Sequence, residues 1–175
     1  WDLLAEMGVL SVLVPESEGG LGMTMLDVVL LLEECGRVAL PEPVVEHAVV
    51  AAPLLSGPRT VTTLIGGAPF AAEAAAAFDR GALGTAAVLL GLGHRMLEMT
   101  VEYATDRRQF GAPIGSFQAV KHHLADARTA LEFARPLVSR AAYSIATGDP
   151  EAAVHVSMAK AHASDAAELA GRAAL

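Results

Sequence analysis

The chain has 175 residues, a formal net charge of −8 and a single cysteine, Cys35. Its length accommodates one full domain or two small halves that share a core, and its acidic balance without any basic run argues against nucleic-acid binding. One cysteine excludes an intrachain disulfide and a thiolate zinc cluster, and we expect a protein of the reducing cytoplasm. His122 and His123 are adjacent and point to different helix faces, and no carboxylate is placed to complete a ligand set with His155 and His162, so we predict no metal site.

Residues 1–56 predict short helices separated by loops, and we assign them to an N-terminal helical domain. A turn-rich loop, VPESEGGLGM, precedes the clearest of these helices. Thr24 is expected to cap that helix with Asp27 as its partner, and Gly36 is expected to end it. Glu33 belongs to the acidic end of the helix, which also has an apolar face.

A change of pattern over residues 57–70 marks a linker or the remnant of another domain. Residues 61–65, VTTLI, form a β-prone run between Pro58 and Gly66. A lone strand leaves both of its edges unpaired. It would therefore need a sheet from a partner, or from residues outside this sequence.

Residues 71–175 read as helix almost throughout and predict a C-terminal up-down helical bundle. The first long helix is expected to end near Arg108. A second is expected from about Ser116 to Thr147, with a kink caused by Pro136. A third continues to the end of the sequence. Three long antiparallel helices usually need a fourth, so the bundle is expected to be incomplete at its end.

The composition predicts how these helices pack. Hydrophobic residues make up 53% of the chain and aromatic residues 5%, and much of the apolar content is alanine. This mixture predicts close helix contacts through small side chains, and surface that other subunits cover. The longest apolar runs, such as TAAVLLGLG, are shorter than the roughly 20 residues that cross a bilayer, so no membrane span is predicted.

The segment between the first two bundle helices carries the residues best suited to ligand binding. It reads DRRQFGAPIGSFQ from Asp106 to Gln118. Arg107 can hold a phosphate oxygen with its planar N–H donors, and Phe110 offers a flat apolar face. The amide of Gln118 can donate to or accept from an anion or a base edge. Together these residues suit a nucleotide with its diphosphate.

A purely structural role for the same residues is also open. Arg107 could complement the dipole of the helix that it ends and pair with Asp106 or Glu102. Phe110 and Phe117 could then close the end of the bundle. The chemistry of the residues alone does not separate these two interpretations.

The segment resembles the acyl-CoA dehydrogenase family, whose pattern is a Tyr, then Arg-x-x-Phe-Gly, then a Gln at the start of the next helix. The residues that match are Tyr103, Arg107, Phe110, Gly111 and Gln118. Further stretches agree in order: WDLLAEMG, VPESEGGLGM, LAD at 124–126 and SMAK at 157–160. The resemblance implies a mainly α fold, in which a helical N-terminal domain and a C-terminal bundle flank a middle β-domain that is reduced or missing in this sequence.

The resemblance also implies an activity and a site. Members of this family carry FAD and oxidise the α,β bond of an acyl-CoA thioester, in fatty-acid or steroid side-chain catabolism, as homo- or hetero-oligomers, dimers or tetramers, of related subunits. A glutamate removes the α proton and the β hydride passes to the flavin. Carried over by position, Arg107, Phe110 and Gln118 hold the diphosphate and adenosine of a neighbouring subunit's FAD.

The sequence departs from the family at the catalytic base. The family usually places its glutamate in a loop after the third bundle helix, which would follow Leu175. Some members place it near the start of the first bundle helix, and that position falls on Gly81, which cannot accept a proton. Glu98 and Glu102 lie on a polar helix face and are expected to be solvated or paired. We therefore assign no catalytic residue.

Two explanations for the missing sheet and base stay open, and both can hold. The sequence could contain only parts of a longer chain. Alternatively, the subunit could be truly reduced and work beside a catalytic partner, as in members built from paired unlike subunits. A rival of another class is a non-catalytic scaffold that keeps the bundle only to stabilise a catalytic paralogue.

Overall fold

The computed structural model describes residues 1–55 and 68–175, with the backbone alone for residues 68–72. A π-helix, Val45–Ala51, leads directly into the third α-helix. The predicted β-prone run at 61–65 lies outside the described residues. The described fold is mainly α, as predicted, and its helices are α1 (Asp2–Glu6), α2 (Met25–Arg37), α3 (Ala52–Leu55), α4 (Ala68–Asp106), α5 (Gln118–Thr147) and α6 (Ala152–Ala173).

Thr24 caps α2 as the sequence predicts. Its backbone N–H donates to Asp27 Oδ2 at 3.0 Å, and its hydroxyl donates to the same oxygen at 2.8 Å. The backbone N–H of Thr24 is the main cause of the lowered pKa of the Asp27 carboxyl, and its hydroxyl is the second. The prediction that Gly36 ends this helix was wrong, because Gly36 is buried inside α2, which ends at Arg37.

Gly36 and Gly91 let α2 cross α4 with their backbones in contact. A Cβ atom at Gly36 would lie 2.1 Å from the carbonyl oxygen of Val88, and one at Gly91 would lie 1.9 Å from that of Glu33. A larger residue at either position would therefore separate the two helices. Because of this close crossing, the N-terminal region and the bundle share one hydrophobic core, which includes Val28, Leu32, Leu83 and Leu90.

Small side chains form the contacts among the three long helices, α4, α5 and α6. Gly93 of α4 lies against both Leu131 of α5 and Ala167 of α6. The close packing predicted from the composition is confirmed, since alanines on all three helices are almost completely buried: Ala86, Ala87, Ala127, Ala134, Ala141, Ala159, Ala163 and Ala166. Helices that meet through alanine can approach closely over a long distance.

The central helix α4 is unusually apolar. From Glu73 to Asp106 it is long and apolar enough to cross a membrane, by length and composition only. Its buried residues, including Leu83 and Leu90, belong to the core that α4 shares with α2, α5 and α6. A helix that neighbours surround on several sides is expected to be apolar on most faces, so the fold accounts for this hydropathy.

Helix α5 begins two residues later than predicted, at Gln118, because Ile114–Ser116 forms a 3-10 turn before it. The helix stays continuous through Pro136. It ends at Thr147, and the next residue, Gly148, has a left-handed φ of 66°. The N–H of Asp149 donates back to the carbonyl of Ser144 at 2.9 Å. This glycine-terminated end is a common way to satisfy the last carbonyl groups of a helix.

Arg37 and Glu98 form an ion pair between α2 and α4. Arg37 donates to both carboxylate oxygens of Glu98, at 2.8 and 2.9 Å. These hydrogen bonds are the main cause of the lowered pKa of the Glu98 carboxyl. The expectation that Glu98 is paired or solvated is therefore confirmed, and a catalytic role for it is disfavoured.

We predict that the Arg37 and Glu98 pair makes the fold more sensitive to acid. A carboxyl whose pKa is lowered in the folded state contributes stability above its ordinary value of 4.5, and that stability is lost as the pH falls toward the folded-state pKa. Glu98→Gln should therefore flatten the pH dependence of the free energy of unfolding below this value. The effect is expected to be small, because both side chains are about one-third exposed and screened by water. Urea denaturation over the acid range measures it, and identical pH profiles for the two proteins would contradict it.

Candidate functional site

A tight hairpin joins α4 to α5. Its strands, β1 (Arg108–Gln109) and β2 (Ala112–Pro113), are antiparallel, with Gln109 opposite Ala112. The two residues between them, Phe110 and Gly111, have φ values of 52° and 81°. Positive φ at both central positions is the type I′ pattern, whose twist matches that of the flanking strands. The Phe and Gly of the sequence pattern Arg-x-x-Phe-Gly are therefore the two central residues of this turn.

Phe110 occupies a backbone conformation that its side chain disfavours. The left-handed region costs an L-residue about 1–2 kcal/mol, and type I′ turns favour Asn or Gly at this position. Its ring is 93% exposed. It has one ring neighbour, Phe117, at 6.2 Å between centroids and 75° between planes. A strained and exposed aromatic contributes little to the core, so its presence points to something outside this chain.

Arg107 is fixed through its backbone and free at its side chain. Its N–H donates to the carbonyl of Tyr103 at 2.8 Å, and its own carbonyl accepts from the N–H of Ile114 at 2.8 Å. The side chain is exposed, and within residues 1–55 and 73–175 it has no ion-pair or hydrogen-bond partner. The guanidinium therefore stands at the base of the hairpin with its N–H donors available.

Gln118 is the first residue of α5, at the helix end next to the hairpin. Its side chain is exposed, and the first turn of α5 contains no acidic residue. The first N–H groups of a helix have no partner within that helix and favour an anion. The contact between Phe117 and Phe110 ties this helix end to the hairpin tip. The structure thus places all three predicted binding residues, Arg107, Phe110 and Gln118, on the exposed link between α4 and α5.

The structure does not support two parts of the purely structural interpretation of these residues. Phe110 does not close the end of the bundle, because its ring is almost fully exposed. Neither Asp106 nor Glu102 forms an ion pair with Arg107 among the described residues. The hairpin therefore presents its aromatic ring and its cation outward, where a ligand or another chain could contact them.

A groove of about 510 Å³ opens at the end of the bundle next to the hairpin. Ile114 from the turn before α5 forms part of its wall, together with Val120. Its polar side chains come from all three long helices: Tyr103, His123, Asp126 and Arg172. The groove is mainly apolar, which is typical of surfaces that bind a ligand or pack against further chain.

The structure also describes Gly81, to which the resemblance assigns the base position of some family members. Gly81 lies in α4 against the π-helix, and a Cβ atom there would be 3.0 Å from Val50 Cγ2. A glutamate side chain would have to displace this contact or point away from it. Two other glutamates of α4 are no better placed to act as a base, since Glu98 is held by Arg37 and Glu102 is exposed.

Sequence reasoning missed a buried polar cluster between α2 and the bundle. Glu33, expected at an acidic helix end, is only 7% exposed and accepts a hydrogen bond from Arg135 at 2.5 Å. His94 is 6% exposed, and its Nδ1 lies 3.6 Å from Glu33 Oε1, too far for a hydrogen bond. The periodicity of α2 could have revealed the burial of Glu33, because this residue follows the buried Val29 by one helical turn.

We predict that Glu33 contributes measurably to stability. Glu33→Ala should lower the free energy of unfolding by about 2 kcal/mol, the size of a hydrogen bond to a charged group. A larger loss is not expected, since Arg135 is half exposed and water can solvate its charge. The adjacent Glu34→Ala is the matched control, because Glu34 is largely exposed and should change stability by less than about 0.5 kcal/mol. Equal losses in the two variants, measured by urea denaturation, would contradict the assignment.

Other reactive side chains do not form a second site in the described part of the chain. Burial raises the pKa of the Cys35 thiol, which disfavours the nucleophilic thiolate. Within the described residues, no three His, Cys, Asp or Glu side chains lie close enough to bind a metal ion. His155 instead shares a hydrogen bond of 2.9 Å with the hydroxyl of Ser144.

Comparison with known proteins matches nearly the whole chain to one family. The family model described as "Acyl-CoA dehydrogenase, C-terminal domain" matches residues 71–175, and the one described as "Acyl-CoA dehydrogenase, N-terminal domain" matches residues 1–57. Few residues separate the two matches, so the middle β-domain is absent from these 175 residues, in agreement with the predicted fold class.

Curated relatives agree with this match. Acyl-CoA dehydrogenase IpdE2 of Mycobacterium tuberculosis is 28% identical to this chain, over 82% of the chain and 65% of the relative. The alignment runs over 206 positions, more than the 175 residues of this chain, so the relative carries residues within the matched region that this chain lacks. L-prolyl-(peptidyl-carrier protein) dehydrogenase of Pseudomonas fluorescens is 50% identical over 37% of this chain and 17% of the relative.

A solved structure supports the same relationship. The apo form of PigA is similar with a TM-score of 0.53 and 33% sequence identity, over 56% of this chain and 26% of the PigA chain. The present chain therefore spans less than two thirds of each of these three proteins. The two family models nevertheless cover almost all of it, and the chain belongs to the acyl-CoA dehydrogenase family.

Proposed function

We propose that the chain is a subunit of an FAD-dependent acyl-CoA dehydrogenase, in which Arg107, Phe110 and Gln118 bind the adenosine and diphosphate part of an FAD held mainly by a neighbouring subunit. The observation that carries this proposal is the strained, 93% exposed Phe110 at the tip of the hairpin. Folding alone gives no reason to hold an aromatic ring there. A planar ligand group such as an adenine ring would explain its position, because bases stack on exposed aromatic side chains.

The charges around the hairpin suit the diphosphate. Arg107 offers a guanidinium with no partner among the described residues. The N-terminus of α5 adds unpaired N–H groups and the positive end of a helix dipole, and no acidic residue in its first turn opposes an anion. The amide of Gln118 supplies a further donor. These residues fit the phosphates and adenosine of FAD, and contacts to the isoalloxazine ring would come from residues other than these.

The reaction would divide between this chain and other residues. When bound, FAD in this family accepts the β hydride of the acyl chain at its N5 atom. The chain's own contribution is to bind and orient the nucleotide. Among the described residues, Gly81 cannot act as a base and Glu98 is paired with Arg37. The α proton would therefore be removed by a glutamate of a partner subunit, or by one outside this sequence.

The proposed substrate is a thioester, and the proposed assembly is an oligomer of related subunits. The name of the mycobacterial relative specifies an acyl-CoA, whereas that of the Pseudomonas relative specifies a peptidyl-carrier protein. We propose acyl-CoA, since the relative that covers most of this chain carries that name. The exposed hairpin favours a homo- or hetero-oligomer, a dimer or a tetramer, because among the described residues its cation has no partner and its ring has only the edge contact with Phe117. We also propose a cytoplasmic location, because a chain with a single cysteine fits a reducing compartment.

Expression of the chain alone and with candidate partner subunits tests this proposal. Flavin absorbance and acyl-CoA oxidation with an artificial electron acceptor are measured for each preparation. We expect stable flavin and turnover only in the assembled protein. Bound FAD and full turnover in the isolated chain would overturn the dependence on a partner. An assembled protein without flavin would overturn the proposal itself.

One observation favours a second candidate, a non-catalytic scaffold subunit. Gly81 occupies one of the family's positions for the base and packs against Val50. A scaffold would stabilise its catalytic paralogue while leaving the hairpin without a nucleotide. In that case Arg107→Ala would change neither the flavin content nor the activity of the assembly, whereas Gly91→Ala, which separates α2 from α4, would still dissociate it.

A further inference from the structure

We propose that Arg108 is a positioning residue for the nucleotide, which holds the hairpin in the shape that presents Phe110 and leaves Arg107 free. This inference rests on the proposed FAD pocket and extends it to a residue outside the three already assigned. It also assigns a task to the second of two adjacent arginines, which the motif leaves without a role.

The hairpin needs support beyond its strands. Each strand has two residues, and the backbone pairs are Arg108 with Pro113 and Gln109 with Ala112. Pro113 has no N–H group, so it cannot donate across the ladder. Short isolated hairpins are marginally stable in water. The tip also holds Phe110 in a left-handed conformation that a phenylalanine resists. Side chains must therefore contribute to keeping this turn closed.

Arg108 provides such a contact. Its Nη2 donates to the carbonyl oxygen of Gly111 at 3.1 Å, so the side chain of the first strand reaches the second residue of the turn. A second side-chain contact at the tip is between the rings of Phe110 and Phe117. Arg108 thus closes the turn on one side, and Phe117 supports the ring of Phe110 on the other.

The two arginines contrast directly. Arg108 uses its guanidinium within the hairpin. Arg107 has its backbone held by Tyr103 and Ile114, and its guanidinium has no partner in the part of the chain that the structure describes. An arginine already bound to a carbonyl oxygen is a weaker candidate for direct phosphate binding. Arg107 is thus suited to the anion, and Arg108 to the shape of the site.

Four variants of the full protein in its flavin-binding assembly separate these tasks: Arg108→Met, Arg108→Lys, Arg107→Met and Arg107→Lys. FAD affinity is measured by rebinding to the flavin-free assembly at low and high salt. Hydrogen exchange is followed at the amide of Ile114, which donates to Arg107 at the base of the hairpin. Both arginines are exposed, so melting temperatures should stay near that of the parent protein and serve as a check on folding.

Arg108→Met should speed the exchange of the Ile114 amide and weaken FAD binding about fivefold, the effect of one lost hydrogen bond. Part of this loss should persist at high salt, where the general effect of the removed charge is screened, because the missing contact is to a backbone carbonyl. Arg108→Lys keeps a donor and should restore most of the affinity. Arg107→Met should leave the exchange of the Ile114 amide unchanged and weaken FAD binding, and this loss of affinity should be smaller at high salt. Arg107→Lys should restore little of the affinity, because a lysine cannot bind phosphate bidentately.

Unchanged FAD affinity in Arg108→Met, with a loss in Arg107→Met, would overturn the role of Arg108 while the proposed pocket stands. A loss in Arg108→Met that high salt abolishes, without faster exchange, would also overturn it and indicate an electrostatic contribution to phosphate binding instead. Unchanged affinity in both methionine variants would overturn the proposed FAD pocket itself.

Discussion

Replacing Phe110 by Asn is expected to stabilise the fold and to weaken flavin binding at the same time. Asn adopts the left-handed conformation far more readily than Phe, and Asn-Gly is the favoured sequence of a type I′ turn. The free energy of unfolding should therefore rise by about 1 kcal/mol, which raises the melting temperature by roughly 2–4 °C. FAD affinity should fall about tenfold, because a stacking ring is lost. Thermal unfolding and flavin titration of the assembled protein measure the two effects.

Phe110→Tyr is the matched control for this prediction. It keeps an aromatic face and the same strained backbone, so both flavin affinity and stability should stay close to those of the parent protein. The prediction fails if Phe110→Asn lowers stability, since the strain argument would then be wrong. It also fails if flavin affinity is unchanged, because the exposed ring would then have another purpose.

Replacing Gly91 by Ala is expected to have the largest effect on stability. The added Cβ would lie 1.9 Å from the carbonyl oxygen of Glu33 and 2.8 Å from the backbone N of Arg37. Both atoms belong to the backbone of α2, so no side-chain rotation can relieve the clash and the helices must separate. We expect a loss of about 3 kcal/mol or more, and a melting temperature lower by roughly 6–12 °C.

Gly171→Ala controls for the general effect of replacing a helical glycine. A Cβ there would have Met96 Sδ as its nearest neighbour, at 3.8 Å, an ordinary contact. Alanine also favours the helix, so stability should stay the same or rise by up to about 1 kcal/mol. Similar melting temperatures for Gly91→Ala and the parent protein would contradict the close crossing of α2 and α4.

Local sequence patterns predicted those features of the helices that depend only on neighbouring residues. The cap formed by Thr24 and Asp27 needs only neighbouring residues, and the structure confirms it. Gly36 was misinterpreted because a glycine after an apolar helix usually marks its end. Its actual role depends on Val88, which is 52 positions away in the sequence, and helix-to-helix contact cannot be read from a local pattern.

The polar residues show the same limit. Glu33 was predicted to belong to the acidic end of its helix. The structure buries it, since the crossing of α2 over α4 and the position of Arg135 give it a cationic partner 102 positions away. His94 could not be assigned for the same reason, as its neighbours come from separate helices.

The residues of the candidate site could be named from the sequence motif, but the structural reasons for assigning them to a site could not. Arg107, Phe110 and Gln118 were assigned by resemblance, and their roles stay predictions. The sequence did not reveal that Phe110 and Gly111 form a type I′ turn, because Phe is a poor residue for that position. The exposure of the ring and the use of Arg108 within the hairpin became evident only from the folded backbone.

The flavin content of the assembled protein, with and without Arg107→Ala, tests the central claim most directly. Removal of a charged hydrogen-bonding group should weaken FAD binding by about tenfold or more. We therefore predict that the variant assembly retains less flavin on gel filtration than the parent, while Arg128→Ala, which removes an exposed arginine paired with Glu132, retains as much as the parent. An Arg107→Ala assembly that keeps the same flavin-to-protein ratio and the same affinity as the parent would contradict the proposed pocket.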